Sequence, residues 1–434
     1  MIAVILAGGK GTRLGELTRE IPKPMIKVGG IPVLEHQINL LKRYGIIDII
    51  ILSNYLSEII EDYFGDGSSL GVTIRYFKEE KDKPLGTAGS LKAIEGELKE
   101  DFLVFYGDVI IDVNLRKFIK FHKNKKSEAT LAVHPNNHPH DSDLMEVDSD
   151  NRIVAIHSKP HEESKYYQNL GNACLYLFSP KILKFIPQNE FSDFGKNVFP
   201  SAFKELKMYG HNTAEYIRDM GTLERLAEVE RDLRSGKIRR LNSENKQKAI
   251  FLDRDGVINE EINLLHKLDD FKLLPNVINA IKGINNSEYL TIVVTNQPVI
   301  ARNLCTLEEL NEIHKKMETV IGIEGAKIDK IYFCPHHPDR GYPGENVKYK
   351  TECSCRKPKT GMIERAIKDY NIDVSRSYII GDSWRDIECG KRIGLKTIKT
   401  KTNHIQFDKK GEEDFSFNNL FEAVEFILKT KEGK

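Results

Sequence analysis

Phe251–Asn259 reads FLDRDGVIN. The apolar run Ala249–Leu252 has the make-up of a buried strand and delivers two aspartates one residue apart, Asp253 and Asp255. Gly256 follows and lets the backbone turn sharply away from the strand end. A nucleophile and an acid then share one loop. A carboxylate attacks phosphorus only where its own charge and that of the phosphate are offset, so the loop asks for a divalent cation and a nearby ammonium. Asp382 and Lys357 are the downstream candidates. A lone DxD says little by itself; partners arriving in order make the difference. A core that begins near residue 248 of 434 leaves a whole domain's length before it. The chain reads as two doubly wound α/β domains, 1–236 and 248–434, joined by a linker over 237–247.

Composition narrows the partners. With 65 basic against 64 acidic side chains and a net charge of +1, no global field favours nucleic acid or membrane. The opening MIAVILAGG is apolar, but no basic segment precedes it and it is too short for a signal-peptide core or a span. It reads as a buried strand in a cytoplasmic protein. Six cysteines in this length make no disulfide scaffold, and Cys334, Cys353 and Cys355 crowd together, which in a reducing compartment favours metal. Oligomeric state, a homo-oligomer included, stays open.

In the first half, Ile2–Ala7 runs into GGKGTRL (Gly8–Leu14), then IPKP (Ile21–Pro24), a helical pattern over Val33–Tyr44 and a second apolar run at Ile46–Leu52. Strand, glycine loop, helix, strand is the opening of a parallel sheet. Gly8, Gly9 and Gly11 carry no Cβ where backbone N–H groups would wrap a triphosphate, and Arg13 and Lys23 supply positive charge. The loop is neither GxGxxG nor a P-loop. The whole string LAGGKGTRL…IPKPMIKVGGIPVLEH closely resembles the signature of the sugar-1-phosphate nucleotidyltransferases, which join a nucleoside triphosphate to a sugar 1-phosphate.

That resemblance implies a Rossmann-like domain with a mixed sheet and a set of roles. Gly8, Gly9, Gly11, Thr12 and Arg13 would hold the triphosphate, and Lys23 would offset charge as pyrophosphate leaves. LGTAGSL (Leu85–Leu91) would bring Gly86, Thr87 and Ala88 against the nucleotide. FLVFYGD ends in Asp108 and YIRDMGT supplies Asp219, the pair that would hold Mg²⁺ over the crevice. Lys159 in HSKP and Asn172 in LGNACLYLF would face the sugar. FSDFGKNVFP (Phe191–Pro200) departs from the family's version, in which a glutamate precedes the lysine. His134, His138 and His140 lack regular ligand spacing and read as surface histidines. No hexapeptide repeat follows the helix expected at Leu223–Arg234, which argues against an acyltransferase extension. Ser235–Lys248 is polar and basic and reads as solvated.

In the second half, FLDRDGVIN resembles the first motif of the haloacid dehalogenase-like phosphatases, and TIVVTNQ (Thr291–Gln297), CRKPKTGM (Cys355–Met362) and YIIGDSWRDI (Tyr378–Ile387) follow in the family's order. The resemblance implies a parallel sheet with Asp253 as nucleophile and Asp255 as acid and base. Thr295 and Lys357 would stabilise the phosphoryl group, and Asn296 and Arg356 would contact substrate. Mg²⁺ would sit on Asp253, Asp382 and the backbone carbonyl of Asp255. Cys334, His336, Cys353 and Cys355 offer one imidazole and three thiolates, a composition that suits a structural tetrahedral Zn²⁺ holding a polar, proline-rich loop. His337 is the alternative imidazole. Cys174, Cys305 and Cys389 are scattered and read as ordinary thiols. The C-x-H…C-x-C arrangement resembles that of the heptose 1,7-bisphosphate phosphatases and the related histidinol-phosphate phosphatases.

A phosphatase that makes a sugar 1-phosphate, joined to an enzyme that consumes one, is chemically consecutive. The expectation is a bifunctional enzyme that cleaves D-glycero-D-manno-heptose 1,7-bisphosphate at C7. It would then couple heptose 1-phosphate with GTP to give GDP-D-glycero-α-D-manno-heptose and pyrophosphate. The guanine choice rests on analogy alone. Competing readings are a hexose-1-phosphate nucleotidyltransferase fused to a histidinol-phosphate-type phosphatase, a catalytically silent module that senses nucleotide sugars, and two active halves unrelated in pathway.

Overall fold

Residues of the first strand, Ile2–Leu6, point alternately into two cores: Ala3 and Ile5 into one, Val4 into the other. The neighbouring strand Asp48–Ser53 divides likewise, Ile49 and Ile51 from Ile50 and Leu52. Side chains of a strand alternate by face, so near-continuous apolar runs mean a sheet covered on both sides. A computed structural model describes residues 1–9, 11–80, 83–401 and 412–430, without the side chains of Thr12 and Arg13. The described chain forms two units, one of residues 1–134, 142–159 and 170–242, the other of 135–141, 160–169 and 243–434.

The first unit holds a mixed sheet with the order Ile153–His157, Leu144–Val147, Gly171–Phe178, Phe102–Tyr106, Ile2–Leu6, Asp48–Ser53, Thr73–Lys78. Ala129–His134 and Met208–Asn212 extend it from Gly171–Phe178. Ile2–Leu6 is parallel to both its neighbours, whereas Gly171–Phe178 runs antiparallel to Phe102–Tyr106. A separate ribbon pairs Tyr216–Asp219 with Val109–Asp112 and sets Asp219 opposite Val109, one residue past Asp108. This pairing brings together two segments more than a hundred positions apart in sequence.

The polar stretch expected to be a solvated linker is folded. Lys237–Arg240 makes a helical turn that buries Ile238, and Asn242 is fully buried with its Nδ2 donating to Asp112 at 2.6 Å. Further on, the carbonyls of Ser243 and Asn245 accept from the Asn371 amide at 3.0 and 3.1 Å. A buried amide that meets its hydrogen bonds needs no apolar neighbours in sequence, so composition alone does not reveal it.

The second unit contains a wholly parallel sheet, ordered Lys330–Cys334, Tyr289–Asn296, Lys248–Leu252, Tyr378–Gly381, Lys396–Thr400, Phe415–Phe417. Helix Leu307–Ile323 begins with a capping box in which Thr306 and Glu309 satisfy each other's backbone N–H groups. Residues 135–141 and 160–169 belong to this unit although they lie in the first half of the sequence. Thr319 of the long helix accepts from the Tyr167 N–H at 2.8 Å, and a Cβ on Gly322 would stand 2.6 Å from the Pro139 ring.

Candidate active sites

In the first unit, parallel strands end together at Leu6, Ser53 and Tyr106, and the loops beyond them line a cavity of about 680 Å³. Gly8 and Gly9 form part of its wall, as do Gly86, Thr87, Lys23 and Asp108. The turn carrying Asp108 is pinned by Gln37, whose amide donates to the carbonyls of Tyr106 and Val109 at 2.8 and 2.7 Å. Lys23, almost wholly buried, pairs with the Asp108 carboxylate. Asp219 is gripped by Arg225 Nη1, at 2.9 Å from both oxygens, and by the Gly221 N–H at 2.8 Å. Burial pushes the Asp219 carboxyl up, but the Arg225 charge and these hydrogen bonds outweigh it and hold the group below the usual range. The Met220 N–H donates to the Asp108 carbonyl at 3.3 Å, so the two acids sit on adjoining backbone.

The other expected residues divide. Gly86 lies at φ +76°, and a Cβ there would stand 2.5 Å from the Ser192 carbonyl, so only glycine fits. Thr87 lines the cavity, yet its hydroxyl donates to Asp193 at 2.9 Å and accepts from the Phe194 N–H. Ala88 is fully buried with its N–H on the Ser192 carbonyl. The Leu85–Leu91 segment and the FSDFGKN stretch are thereby tied together through Asp193. Gly11, at φ +63°, packs a short distance from Thr18 and Lys23. Thr12 and Arg13 have side chains outside the described residues. Lys159 and Asn172 stand apart from the cavity lining and gather on Asp143: its carboxylate accepts from the Lys159 N–H at 3.2 Å, and its carbonyl from the Asn172 N–H at 2.9 Å. Sequence reading passed over Asn54, Glu79, Tyr106, Asp143 and Arg225. Asn54 directly follows the apolar strand Asp48–Ser53, a signal that was there to use, whereas the strand before Glu79, TIRYFK, is mixed in character.

In the second unit, Asp253, Thr295 and Asp382 stand at or just beyond the carboxyl ends of three adjacent strands. Lys357 reaches in beneath them, 2% exposed. Its Nζ lies 2.9 Å from Asp253, 2.5 Å from Asp386 and 2.8 Å from the Val294 carbonyl. Carboxylate oxygens of Asp253, Asp382 and Asp386 lie within 4.8 Å of one another. Burial is the largest cause pushing Asp253 up to about 7, against the pull of Lys357, and likewise pushes Asp382 up to about 8, with Asp253 and Asp386 adding to it. A divalent cation is the natural complement to such a cluster. Asp386, and not the Asp255 carboxylate, completes this cluster. It also accepts from Ser383, capping helix Trp384–Ile393, and a Cβ on Gly381 would lie 2.2 Å from its own.

The Asp255 carboxylate is held apart by a dense set of donors: Arg254 at 2.8 to 3.0 Å, Asn259 at 2.9 Å and Gln297 at 2.7 Å. Arg254 is fully buried and also faces Nε2 of His314 at 3.3 Å. Burial, with the Arg254 charge, keeps His314 neutral, far below its ordinary pKa. Thr295 accepts from the Gln297 amide at 3.0 Å. The Asn296 amide pairs reciprocally with the Lys357 backbone at 2.9 and 3.1 Å and so positions the lysine. Arg356 donates to the His336 carbonyl at 3.2 Å.

Cys334, His336, Cys353 and Cys355 converge. Their sulfurs are 3.1, 3.4 and 3.6 Å apart, and His336 Nδ1 lies 3.4 and 3.7 Å from two of them. A tetrahedron with metal–sulfur bonds of about 2.3 Å has edges of about 3.8 Å. All three cysteines are free thiols. The His337 ring Nδ1 instead accepts from the Asp339 N–H, and its backbone N–H donates to the Tyr349 carbonyl.

Comparison with known proteins follows the same division. Residues 2–236 match the nucleotidyl transferase family and residues 354–420 a HAD-hydrolase-like family. Mannose-1-phosphate guanylyltransferase of Mycobacterium tuberculosis is 36% identical over 237 residues, which span 54% of this chain and 65% of that protein. D-glycero-beta-D-manno-heptose-1,7-bisphosphate 7-phosphatase of Haemophilus ducreyi is 35% identical over 184 residues, 42% of this chain and 98% of that one. The alpha-anomer 7-phosphatase of Photorhabdus laumondii is 38% identical over the same length and coverage.

Proposed function

We propose that this chain, which belongs to the nucleotidyl transferase family through residues 2–236 and to the heptose-bisphosphate phosphatases through its second half, catalyses two consecutive steps. It hydrolyses D-glycero-D-manno-heptose 1,7-bisphosphate at C7 and then couples the heptose 1-phosphate to GTP, giving GDP-D-glycero-α-D-manno-heptose and pyrophosphate. The observation that carries this reading is the pairing on one chain of the Asp253–Lys357–Asp386–Asp382 cluster with a glycine-walled cavity over Lys23 and Asp108. One site yields the sugar 1-phosphate that the other takes.

For the hydrolysis, Asp253 attacks phosphorus and the C7–oxygen leaving group departs with a proton from Asp255. Asp255 then takes a proton from water, which attacks the aspartyl-phosphate and frees inorganic phosphate and Asp253. Lys357 and Thr295 offset charge on the phosphoryl oxygens. For the transfer, a phosphate oxygen of the sugar attacks the α-phosphorus while Lys23 offsets charge on departing pyrophosphate. Asp108 and Asp219 in one site, and Asp253, Asp382 and the Asp255 carbonyl in the other, would hold Mg²⁺, which would supply Lewis acidity. Zn²⁺ suits the three thiolates and His336, and with four ligands its role is structural.

The test is mass spectrometry of a reaction containing either anomer of the bisphosphate, magnesium and the common nucleoside triphosphates in competition. GDP-heptose is the expected product. Accumulation of heptose 1-phosphate without a nucleotide sugar would end the heptose reading of the first unit. Asp253→Asn is expected to abolish phosphate release while sparing transfer from supplied heptose 1-phosphate, and Asp108→Asn the reverse.

A further inference from the structure

We infer that Asp143 receives hydroxyls of the acceptor sugar and turns away a sugar that carries a second phosphate, so that nucleotidyl transfer has to follow dephosphorylation. The inference rests on the nucleotidyl-transfer reading of the first unit. Asp143 is half-buried and directly precedes strand Leu144–Val147, whose first residue pairs with Gly171. Its carbonyl accepts from the Asn172 N–H at 2.9 Å and its Oδ1 from the Lys159 N–H at 3.2 Å. The backbone and one carboxylate oxygen are thereby fixed. Among the described residues Oδ2 meets no donor, and no lysine or arginine pairs with the group.

A glycine makes room for that oxygen. A Cβ on Gly195 would stand 2.8 Å from Asp143 Oδ2 and 3.4 Å from Asp193 Oδ1. Any side chain at 195, a glutamate before Lys196 included, would therefore meet Asp143. This chain presents a carboxylate there from the start of a strand. Asp193 is no substitute, because its oxygens already accept from the Thr87 hydroxyl and from the Gly195 and Lys196 N–H groups. The Cys174 thiol relates Asp143 to the reacting end. Burial first, then the charges of Asp108, Asp219 and Asp143, push that thiol up, while Lys23 pulls it down. Asn172 joins the two, since its Oδ1 accepts from the Cys174 N–H at 3.2 Å and its own N–H meets the Asp143 carbonyl. A sugar whose 1-phosphate lies at Asp108 and Asp219 thus has its body within reach of Asp143.

A carboxylate only accepts, so it suits hydroxyl donors. A phosphate brings acceptor oxygens and negative charge, and like charges brought together out of water are an effective means of rejecting a partner. Heptose 1-phosphate, with a free hydroxyl at C7, is received; the 1,7-bisphosphate is refused until its second phosphate is gone. Without that refusal the nucleotide sugar would leave with a phosphate still on C7.

The test follows pyrophosphate release with two pairs of acceptors: heptose 1-phosphate against the 1,7-bisphosphate, and mannose 1-phosphate against mannose 1,6-bisphosphate. GTP, ATP, UTP and dTTP are each supplied as donor. The whole chain carries Asp253→Asn throughout, which keeps the bisphosphates intact. For the sugar and triphosphate that the chain uses, the monophosphate is expected to exceed its bisphosphate by about a hundredfold or more in kcat/KM. Asp143→Asn keeps the side chain's size and an Oδ1 for the Lys159 N–H but removes the charge. It should raise KM for the monophosphate by about tenfold, leave KM for the triphosphate in place, and bring the two acceptors to within about tenfold of each other. Asp143→Ser removes the charge by a second route and should narrow the ratio likewise. A bisphosphate used as well as its monophosphate overturns the inference. So does a preference that survives both substitutions, since size and not charge would then exclude the second phosphate. Absence of transfer from every triphosphate to every acceptor is a different result and defeats the nucleotidyl-transfer reading itself.

Discussion

At the scale of single residues, the phosphatase site turns on a buried ammonium. Lys357 has its charge balanced by Asp253 and Asp386, and burial costs it less than those partners return, so its pKa stands above the ordinary lysine value. Replacing it with methionine would remove this ammonium while leaving the three carboxylates of the cluster. Lys357→Met is expected to lower kcat for phosphate release by about 10²–10³-fold, the range seen when one preorganised stabilising group is removed. Nucleotidyl transfer by the same variant should persist; loss of both would point to misfolding. Asn296→Ala tests the positioning contact, and a fall in kcat with little change in KM is expected if the amide acts through its bonds to the Lys357 backbone. Here the limits of sequence are plain. The motif TNQ placed Asn296 at a strand end, but a side chain's direction depends on the loop it meets, and that loop arrives from sixty residues downstream.

At the scale of elements, what was legible were apolar strands that end in chemistry. Asp108, Asp253 and Asp382 each follow a short apolar run, and each stands at a sheet's carboxyl edge. What stayed hidden were contacts between elements, such as the Asp193 carboxylate on Thr87 and the Ser192 carbonyl on Gly86 and Ala88. Gly86 begins helix Gly86–Ala93 at a positive φ against that carbonyl. Gly86→Ala is therefore expected to destabilise the first unit by about 1–3 kcal/mol and to raise the KM for the triphosphate, measured by chemical denaturation and initial rates. The cysteine-rich loop makes a parallel case. Residues 335–352 contain only the short helical turn Val347–Tyr349, so the thiolate cluster supplies what packing does not. Removing metal with a chelator, or Cys353→Ser, should lower the melting temperature of the second unit and release about one zinc per chain.

At the scale of the whole molecule, sequence reading cut the chain into contiguous halves, while residues 135–141 and 160–169 fold with the second unit. Their polarity gave no sign of it, since the anchoring contacts are hydrogen bonds such as Tyr167 to Thr319 and the close fit of Pro139 against Gly322. Titration offers a global test of the site assignment. Asp253 and Asp382 are raised by burial to about 7 and about 8, so between pH 4 and 8 the folded state holds protons that the unfolded state has released. Their contribution to stability is then greatest at low pH and falls as pH rises through those values. Other groups tilt the total: Glu318, raised to about 7, acts in the same sense, while His211 and His314, kept neutral by burial, act oppositely as pH passes the unfolded value near 6.5. The raw slope of melting temperature with pH is thus a mixture. Followed in the melting transition of the second unit, apart from the Asp108–Asp219 site of the first, magnesium reads the cluster, because a cation that replaces protons on Asp253 and Asp382 gains most where those protons are otherwise absent and repulsion is strongest. Its stabilising shift should be small at pH 5, larger at pH 8, and largely lost in Asp382→Asn at both. Scanning calorimetry in magnesium-free and magnesium-containing buffer reads this directly. A shift of equal size at the two pH values would mean that these carboxylates are already charged at pH 5 and that burial does not govern them.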